Sequence, residues 1–425
     1  MKEFFFIDDT LENRTSYYHL ALFLITLPLD AFYGDMVLIS FAIHTFIHIR
    51  KSHLKLLLNK QVLLMSSLYL LTLAGILYTS NKEEGLAEIS NQLPFLLFPV
   101  LLTLSNLNLE KYQTRLFKVF GITCVVMTIL MFANALQIIA YFHLPFSSLF
   151  QNQFINHNFS EPFYLHATFF AIYVAFSIVA FLFFFIKEKK IINKFFYGVC
   201  LLILIAGLIQ LSAKSVFFAL WCIVFLAFPF MVLSSKKRIR FMVTALIILI
   251  GSFFIINNVP SFNKRYIKEL QEDLSQPSAN NGIKEPRIVR WKAELQLIKK
   301  SPFIGYGTGS EKTELKNTFY DNKLYYCYLH EFNAHSQYLA FLITLGIIGF
   351  TIYCCILFYG FYIAIKSKDI FFISALTLIA VVSISEDIMT FSHGRMFYSF
   401  FIAFFLAIYK QKNSANSKLV EATLQ

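Results

Sequence analysis

The sequence predicts an all-α integral membrane protein of about twelve transmembrane helices, with one large extracytoplasmic loop containing amphipathic helices. Three observations predict it. Hydrophobic residues fill 57% of the 425 positions and charged residues only 15%, where a soluble domain carries roughly a quarter charged. The apolar runs are continuous rather than alternating, which favours helices over a β-barrel among structures that satisfy their backbone inside lipid. The cations gather in alternate short loops, as they do on the cytoplasmic side of membrane proteins. The net charge of +12 is that bias; spread among helix ends, it requires no nucleic acid.

A crossing takes about 20 mostly apolar residues, fewer where flanking side chains snorkel. Spans are expected at 17–29, 35–49, 62–78, 93–104, 119–142, 164–186, 195–211, 215–233, 241–256, 337–363, 370–384 and 396–408. Pro28, Pro94 and Pro99 kink or shorten theirs. One side of this map collects Arg50, Lys51, Lys55 and Lys60; Lys111, Arg115 and Lys118; and Lys187, Lys189, Lys190 and Lys194. The same side takes Lys236, Lys237, Arg238 and Arg240, then Lys366 and Lys368, and the tail lysines Lys410, Lys412 and Lys418. The intervening loops are mixed or acidic, as at Lys82-Glu83-Glu84 and Glu386-Asp387. Both termini are therefore expected in the cytoplasm. The chain divides into N-terminal helices (1–256), an outer loop (257–336), C-terminal helices (337–409) and a polar tail (410–425). Residues 1–16 contain Asp8, Asp9 and Glu12, and no small-residue cleavage motif follows, so no cleavable signal peptide is expected. Five of the six cysteines lie in apolar runs; Cys327, in the outer loop, has no evident disulfide partner. No C-x-x-C spacing occurs, and no metal site is expected.

The outer loop divides into pieces. Residues 263–274 read as a short charged helix and 275–285 as turn-rich and mobile. Pro286 suits a first helical turn, and Ile288, Trp291, Leu295 and Ile298 then recur at the spacing of an amphipathic stripe. Arg287 and Arg290 stand one turn apart on its flank. Gly305, Gly307 and Gly309 read as a flexible turn, not a P-loop, because the Gly-Lys-Ser/Thr ending is missing. Ala334-His335-Ser336 opens the next apolar run.

In this order, Arg287-x-x-x-Trp291, Pro302-Phe303-Ile304-Gly305-Tyr306-Gly307, His335 and Leu345-Gly346-Ile347-Ile348-Gly349 resemble the O-antigen ligase and polymerase superfamily. The resemblance covers 210–350 by motif and the whole chain by topology. Two positions depart from the family's pattern. Ser336 stands where Asn usually follows the histidine. Lys214, in Ser212-Ala213-Lys214-Ser215, stands where Arg is usual, which exchanges a bidentate fork for a point charge.

The resemblance implies a bacterial inner-membrane enzyme of lipopolysaccharide biosynthesis. It would transfer a glycan from a polyprenyl (undecaprenyl) diphosphate donor to a lipid-anchored acceptor of the lipid A-core type, at the outer leaflet, inverting and without metal or cofactor. Its partners are the glycan donor, the glycan acceptor and membrane lipids. Such chemistry needs a base for the acceptor hydroxyl and cations for the departing diphosphate. His335 is the candidate base, against the alternative of an interfacial helix-start histidine. Arg287 is the candidate diphosphate ligand, with Arg290 the fallback, against the alternative of solvated flank charges. Lys214 joins them as the only charged residue between Lys194 and Lys236; a snorkelling lysine is the alternative. Trp291, Glu386, His393 and Arg395 are weaker candidates for the substrate cleft, with interfacial anchoring or mutual pairing as alternatives. His157, Glu161 and His166, and the tyrosines Tyr320, Tyr325, Tyr326 and Tyr328, stand near enough to touch sugar or to form an ordinary polar loop and aromatic belt. Two other functions remain open: a polymerase joining lipid-linked repeat units, and a transporter of lipid-linked oligosaccharide. Transport fits less well because polar residues at mid-membrane are scarce.

Overall fold

The computed structural model describes residues 6–274 and 285–424; residues 275–284 of the stretch expected to be turn-rich lie outside them. Among the described residues the chain is helical and carries no strand. The main helices are α1 (Leu11–Thr26), α2 (Ala31–Ile47), α3 (Lys60–Gly75), α4 (Lys82–Asn91), α5 (Pro94–Leu104), α6 (Leu109–Tyr141), α7 (Ala167–Lys187), α8 (Ile191–Leu211) and α9 (Lys214–Cys222). A π-turn at Ile223–Ala227 carries α9 into α10 (Phe228–Val232). Then follow α11 (Ser235–Asn258), α12 (Glu269–Leu274), α13 (Arg287–Lys300), α14 (Glu311–Asp321), α15 (Tyr325–Leu329), α16 (Gln337–Thr344), α17 (Gly346–Ser367), α18 (Ile370–Val382) and α19 (Ser392–Leu424).

Among the described residues seven helical stretches are long and apolar enough to cross a membrane: α4–α5, α6, α7, α8, α9–α10, α11 and α17. The other expected crossings fall on α1, α2, α3, α18 and α19, of which α2, α3 and α18 are apolar but shorter. Burial ranks the helices. In α7, 78% of the apolar window is buried, against 6% in α11, so α7 is a bundle axis and α11 an outer helix. The core around α7 is aromatic: Phe176 packs on Phe397 and Phe401, and Tyr173 stacks on Phe397.

The expected span 337–363 is not one helix. It breaks at Leu345, and Gly346 takes φ +61°. The break has a partner: Tyr306 and Gly307 N–H groups donate to the carbonyls of Ile343 (2.9 Å) and Thr344 (2.8 Å), and Ile347 N–H donates to Pro302 O (2.9 Å). The 301–309 segment thereby satisfies the backbone groups that the interruption exposes. The glycines expected as a flexible turn are instead close-packed. Gly307 takes φ +93°, and a Cβ there would come within 2.6 Å of Thr79 Cα and 2.7 Å of Gly75 O.

Contacts sort the loops into two ends. Lys111 pairs with Asp9 (3.7 Å), Arg50 with Glu12 (3.7 Å) and Lys412 with Glu110 (3.1 Å), and Lys410 Nζ donates to Leu56 O (3.3 Å). Residues 9–12 and 410–412 therefore meet the basic loops at one end of the bundle. At the other end His393 Nε2 bonds Leu29 O (2.7 Å), Tyr78 OH donates to Ile304 O (2.8 Å), and Gln210 Nε2 donates to Leu149 and Phe154 carbonyls (both 2.6 Å). The helices α12–α15 gather at this second end.

Candidate active site

Two neighbouring cavities open at the second end, and Glu386 lines both. The first, about 450 Å³, contains His335, with His166, Glu88, Glu311, Gln337 and Asp387 on its walls. The second, about 560 Å³, contains Lys214, Arg265 and Arg287.

His335 sits in a left-handed turn (φ +47°), an uncommon conformation for a non-glycine residue that is kept only where its surroundings impose it. Here the neighbours are fastened. Ala334 N–H donates to Glu311 Oε1 (3.0 Å), Trp291 Nε1 reaches Ala334 O (3.4 Å), Ser336 Oγ donates to Ser383 O (3.3 Å), and Gln337 N–H donates to Ser383 O (3.0 Å). The imidazole, 30% exposed, brings Nδ1 to 4.0 Å from Glu386 Oε2, an ion-pair separation rather than a hydrogen bond. Its other neighbour is the Phe332 ring, edge-on at 5.5 Å between centroids.

Burial pushes the Glu386 carboxyl up, but the adjacent His335, His166 and Arg287 outweigh it and hold the group below the usual range. Glu386 is therefore a carboxylate facing an imidazole on one side and a guanidinium on the other. Burial drives His166 down to about 4, so it faces the first cavity as a neutral ring. Burial also pushes Asp387 up to about 6, and pushes Glu311 well above the carboxylate range, with the charge of Asp387 adding to the effect.

The cations of the second cavity come from three places. Lys214 opens α9 immediately after Ser212 turns the chain at φ +48°. Arg287 opens α13 after Pro286. Arg265 lies in the π-turn Lys264–Lys268 that leads to α12. The Nε atoms of Arg265 and Arg287 are buried and have no hydrogen-bond partner among the described residues, a condition that favours an anion. Arg287 Nη1 donates to Ser385 O (3.0 Å). Acids share the wall: Glu269 stands 3.7 Å from Lys214 Nζ and 2.5 Å from Arg265 Nη1, and Asp273 3.9 Å from Arg287 Nε. Glu272 and Glu285 also line this cavity.

Four expected site residues line neither cavity. Arg290, 2% exposed, lies over the Phe332 ring at 5.1 Å and so touches His335 only through that ring. Trp291 acts on the backbone beside His335. His393 ties α19 to the α1–α2 turn, and Arg395 Nη1 donates to Met389 O (2.9 Å), bracing the loop that bears Glu386. The face that α13 buries also differs from the expected apolar stripe. Arg290, Ala293, Glu294, Leu297 and Ile298 are inside, while Leu295 is outside at 47%. Arg290 and Glu294 enter one turn apart without pairing: Arg290 Nε and both Glu294 carboxyl oxygens are buried with no hydrogen-bond partner among the described residues, and burial raises the carboxyl to about 8. The sequence reading did not single out Arg265, Glu311 or Gln337. For Arg265 and Glu311 the nearest signal was the loop's charge density, which does not separate cavity walls from solvated faces, and Gln337 stood at the start of an apolar run with no signal of its own. Tyr320, Tyr325 and Tyr328 pack on one another and line neither cavity.

No curated protein matches this chain. Residues 198–354 match the family model described as O-Antigen ligase, bracketing the 210–350 region that carries the motifs. With the apolar helices, the match points to a bacterial membrane enzyme of the ligase and polymerase kind. The matched segment contains Lys214, Arg265, Arg287, Gly305, Gly307, Gly309 and His335, and it makes this part of the chain similar to the O-antigen ligase superfamily.

Proposed function

We propose that the protein transfers a glycan from a polyprenyl-diphosphate donor to a hydroxyl of a lipid-anchored acceptor, at the outer leaflet of the bacterial inner membrane. The observation that carries this reading is the pairing of two adjoining cavities, one with an imidazole and one with three cations, on the end of the bundle opposite the basic loops. The positive-inside bias makes that end extracytoplasmic and both termini cytoplasmic.

In this reading the acceptor enters beside His335 and the diphosphate lies among Lys214, Arg265 and Arg287. His335 takes the hydroxyl proton as the acceptor oxygen bonds to the anomeric carbon. The bond from that carbon to the diphosphate breaks, and polyprenyl diphosphate leaves with the electron pair. Direct displacement inverts the anomeric centre. Glu386 orients the imidazole and stabilises its protonated form, as a carboxylate does for a catalytic histidine elsewhere. The guanidinia bring paired donors to phosphate oxygens, and Lys214 brings a point charge. The leaving group's charge is met by these side chains, and the reading assigns no step to a metal. Glu269 and Asp273 must yield their places to phosphate oxygens.

The test is incubation of the purified protein with a polyprenyl-diphosphate glycan and a lipid-anchored core acceptor, read by product mass. His335→Ala is expected to lower kcat by roughly 10²–10⁴-fold and Arg287→Ala by roughly 10²–10³-fold, with membrane insertion unchanged. Normal transfer by either variant ends the assignment. In a deletion strain, long chains left on the polyprenyl carrier mark a ligase, whereas single repeat units on the acceptor mark a polymerase.

A further inference from the structure

The cavity that holds His335 is polarised in a way transfer chemistry alone does not require. Six carboxyl groups line it: Glu84, Glu88, Glu311, Glu331, Glu386 and Asp387. Its basic groups are Lys312, already held by Glu331 at 2.7 Å, and the imidazoles of His166 and His335. Gln337 supplies an independent sign of a ligand. It is 3% exposed, and its Oε1 accepts from Met389 N–H at 2.7 Å, which fixes the amide's orientation. Its NH₂ group is thereby turned to the cavity with no acceptor among the described residues. That donor is open to the cavity rather than sealed from it, so a ligand oxygen can meet it. On another wall Gln92 Nε2 donates to Glu88 Oε2 (3.0 Å), so Glu88 is held in place with acceptor capacity to spare. Phe332, Phe341 and Phe391 supply apolar faces. Carboxylates, one free amide donor and aromatic faces together match a ring dense in hydroxyls.

We propose that this cavity selects the acceptor sugar by charge, taking a neutral or amine-bearing ring and rejecting one that carries carboxylate or phosphate, with Glu88 and Asp387 as specificity-determining residues. This rests on the reading of His335 as the base that meets the acceptor. An anionic substituent would lie beside Glu84, Glu88, Glu386 and Asp387, with no unpaired lysine or arginine on the cavity wall among the described residues to receive it, and like charges at close range repel.

The experiment uses the full chain in lipid nanodiscs with three alkyl glycosides of one chain length: decyl glucoside, decyl glucosaminide and decyl glucuronide. Equilibrium binding is expected to place the glucuronide at least about tenfold weaker than the glucoside, with the glucosaminide equal or tighter. Glu88→Gln and Asp387→Asn are each expected to narrow the glucoside-to-glucuronide ratio by about threefold or more; two variants on different elements guard against one failing to fold. Equal binding of the three, preference for the glucuronide, unchanged ratios in both folded variants, or binding of none overturns the proposal. The same glycosides offered as acceptors with a polyprenyl-diphosphate donor separate the two readings. The expected binding order without any transfer defeats the ligase assignment and leaves the charge selection standing; transfer without discrimination does the reverse.

Discussion

Glu386 is the residue on which the two cavities turn, because it borders both and faces His335 and Arg287 at once. Glu386→Gln keeps the shape and removes the charge. Steady-state assays are expected to show kcat reduced by roughly 10²-fold with the acceptor KM little changed, since on the proposed function the side chain acts on the base rather than on the sugar. A KM effect alone would instead make Glu386 an acceptor ligand. The residue scale also shows what the sequence made legible. His335, Arg287 and Lys214 stand out because each breaks a pattern, a polar group at the edge of an apolar run or directly after a proline. Arg265 and Glu311 break none, for each sits in a charged stretch where composition cannot tell inward from outward. Arg287 and Arg290 looked equivalent, three positions apart on one flank. Packing separates them: one enters the cation cavity, while the other lies over the Phe332 ring with Glu294 one turn away.

At the scale of elements, the informative unit is the clamp formed by 301–309 between α3 and the broken α16–α17 helix. Thr308 Oγ1 donates to Thr72 O (2.7 Å) and Thr308 N–H to Gly75 O (3.3 Å), while Tyr306 and Gly307 hold the helix break. Gly307→Ala introduces a Cβ at a positive φ into backbone atoms of α3 and the turn after it. It is expected to destabilise the protein by about 2–3 kcal/mol, seen as a lower unfolding midpoint in detergent; an unchanged midpoint would show that the clamp is dispensable. The sequence marked these glycines without revealing their role, because a glycine at positive φ reads alike in a loose turn and in a tight joint. The same limit explains the split span. Hydropathy runs unbroken from 337 to 363, and only the partner segment's hydrogen bonds make the interruption tolerable.

For the whole molecule, helix content and the gathering of the basic loops were open to composition and charge, since both follow from lipid as solvent. The packing of α12–α15 onto the bundle was not, because it buries ionisable groups, as at Glu294. That carboxyl is fully buried, and burial lifts it to about 8 against the pull of Arg290 and Arg287. A folded-state value above the ordinary one means that the native protein binds the extra proton between about 4.5 and 8. Stability should therefore fall as pH rises across that window. Thermal unfolding from pH 5 to 8.5 is expected to show this decline, with Glu294→Gln flattening it; an equal slope in the variant would exclude Glu294 as its source.

The acids of α12 that face Lys214, Arg265 and Arg287 have a consequence for traffic through the site. Cations already matched by counter-charge on their own chain project little net field, so lone inorganic phosphate gains little by entering. Only a species that delivers several oxyanion oxygens together, with further grip from its lipid and saccharide portions, can dislodge that tethered substitute. On the proposed function, selectivity for a large amphiphilic pyrophosphate ester over abundant small anions then arises from competition within the polypeptide itself.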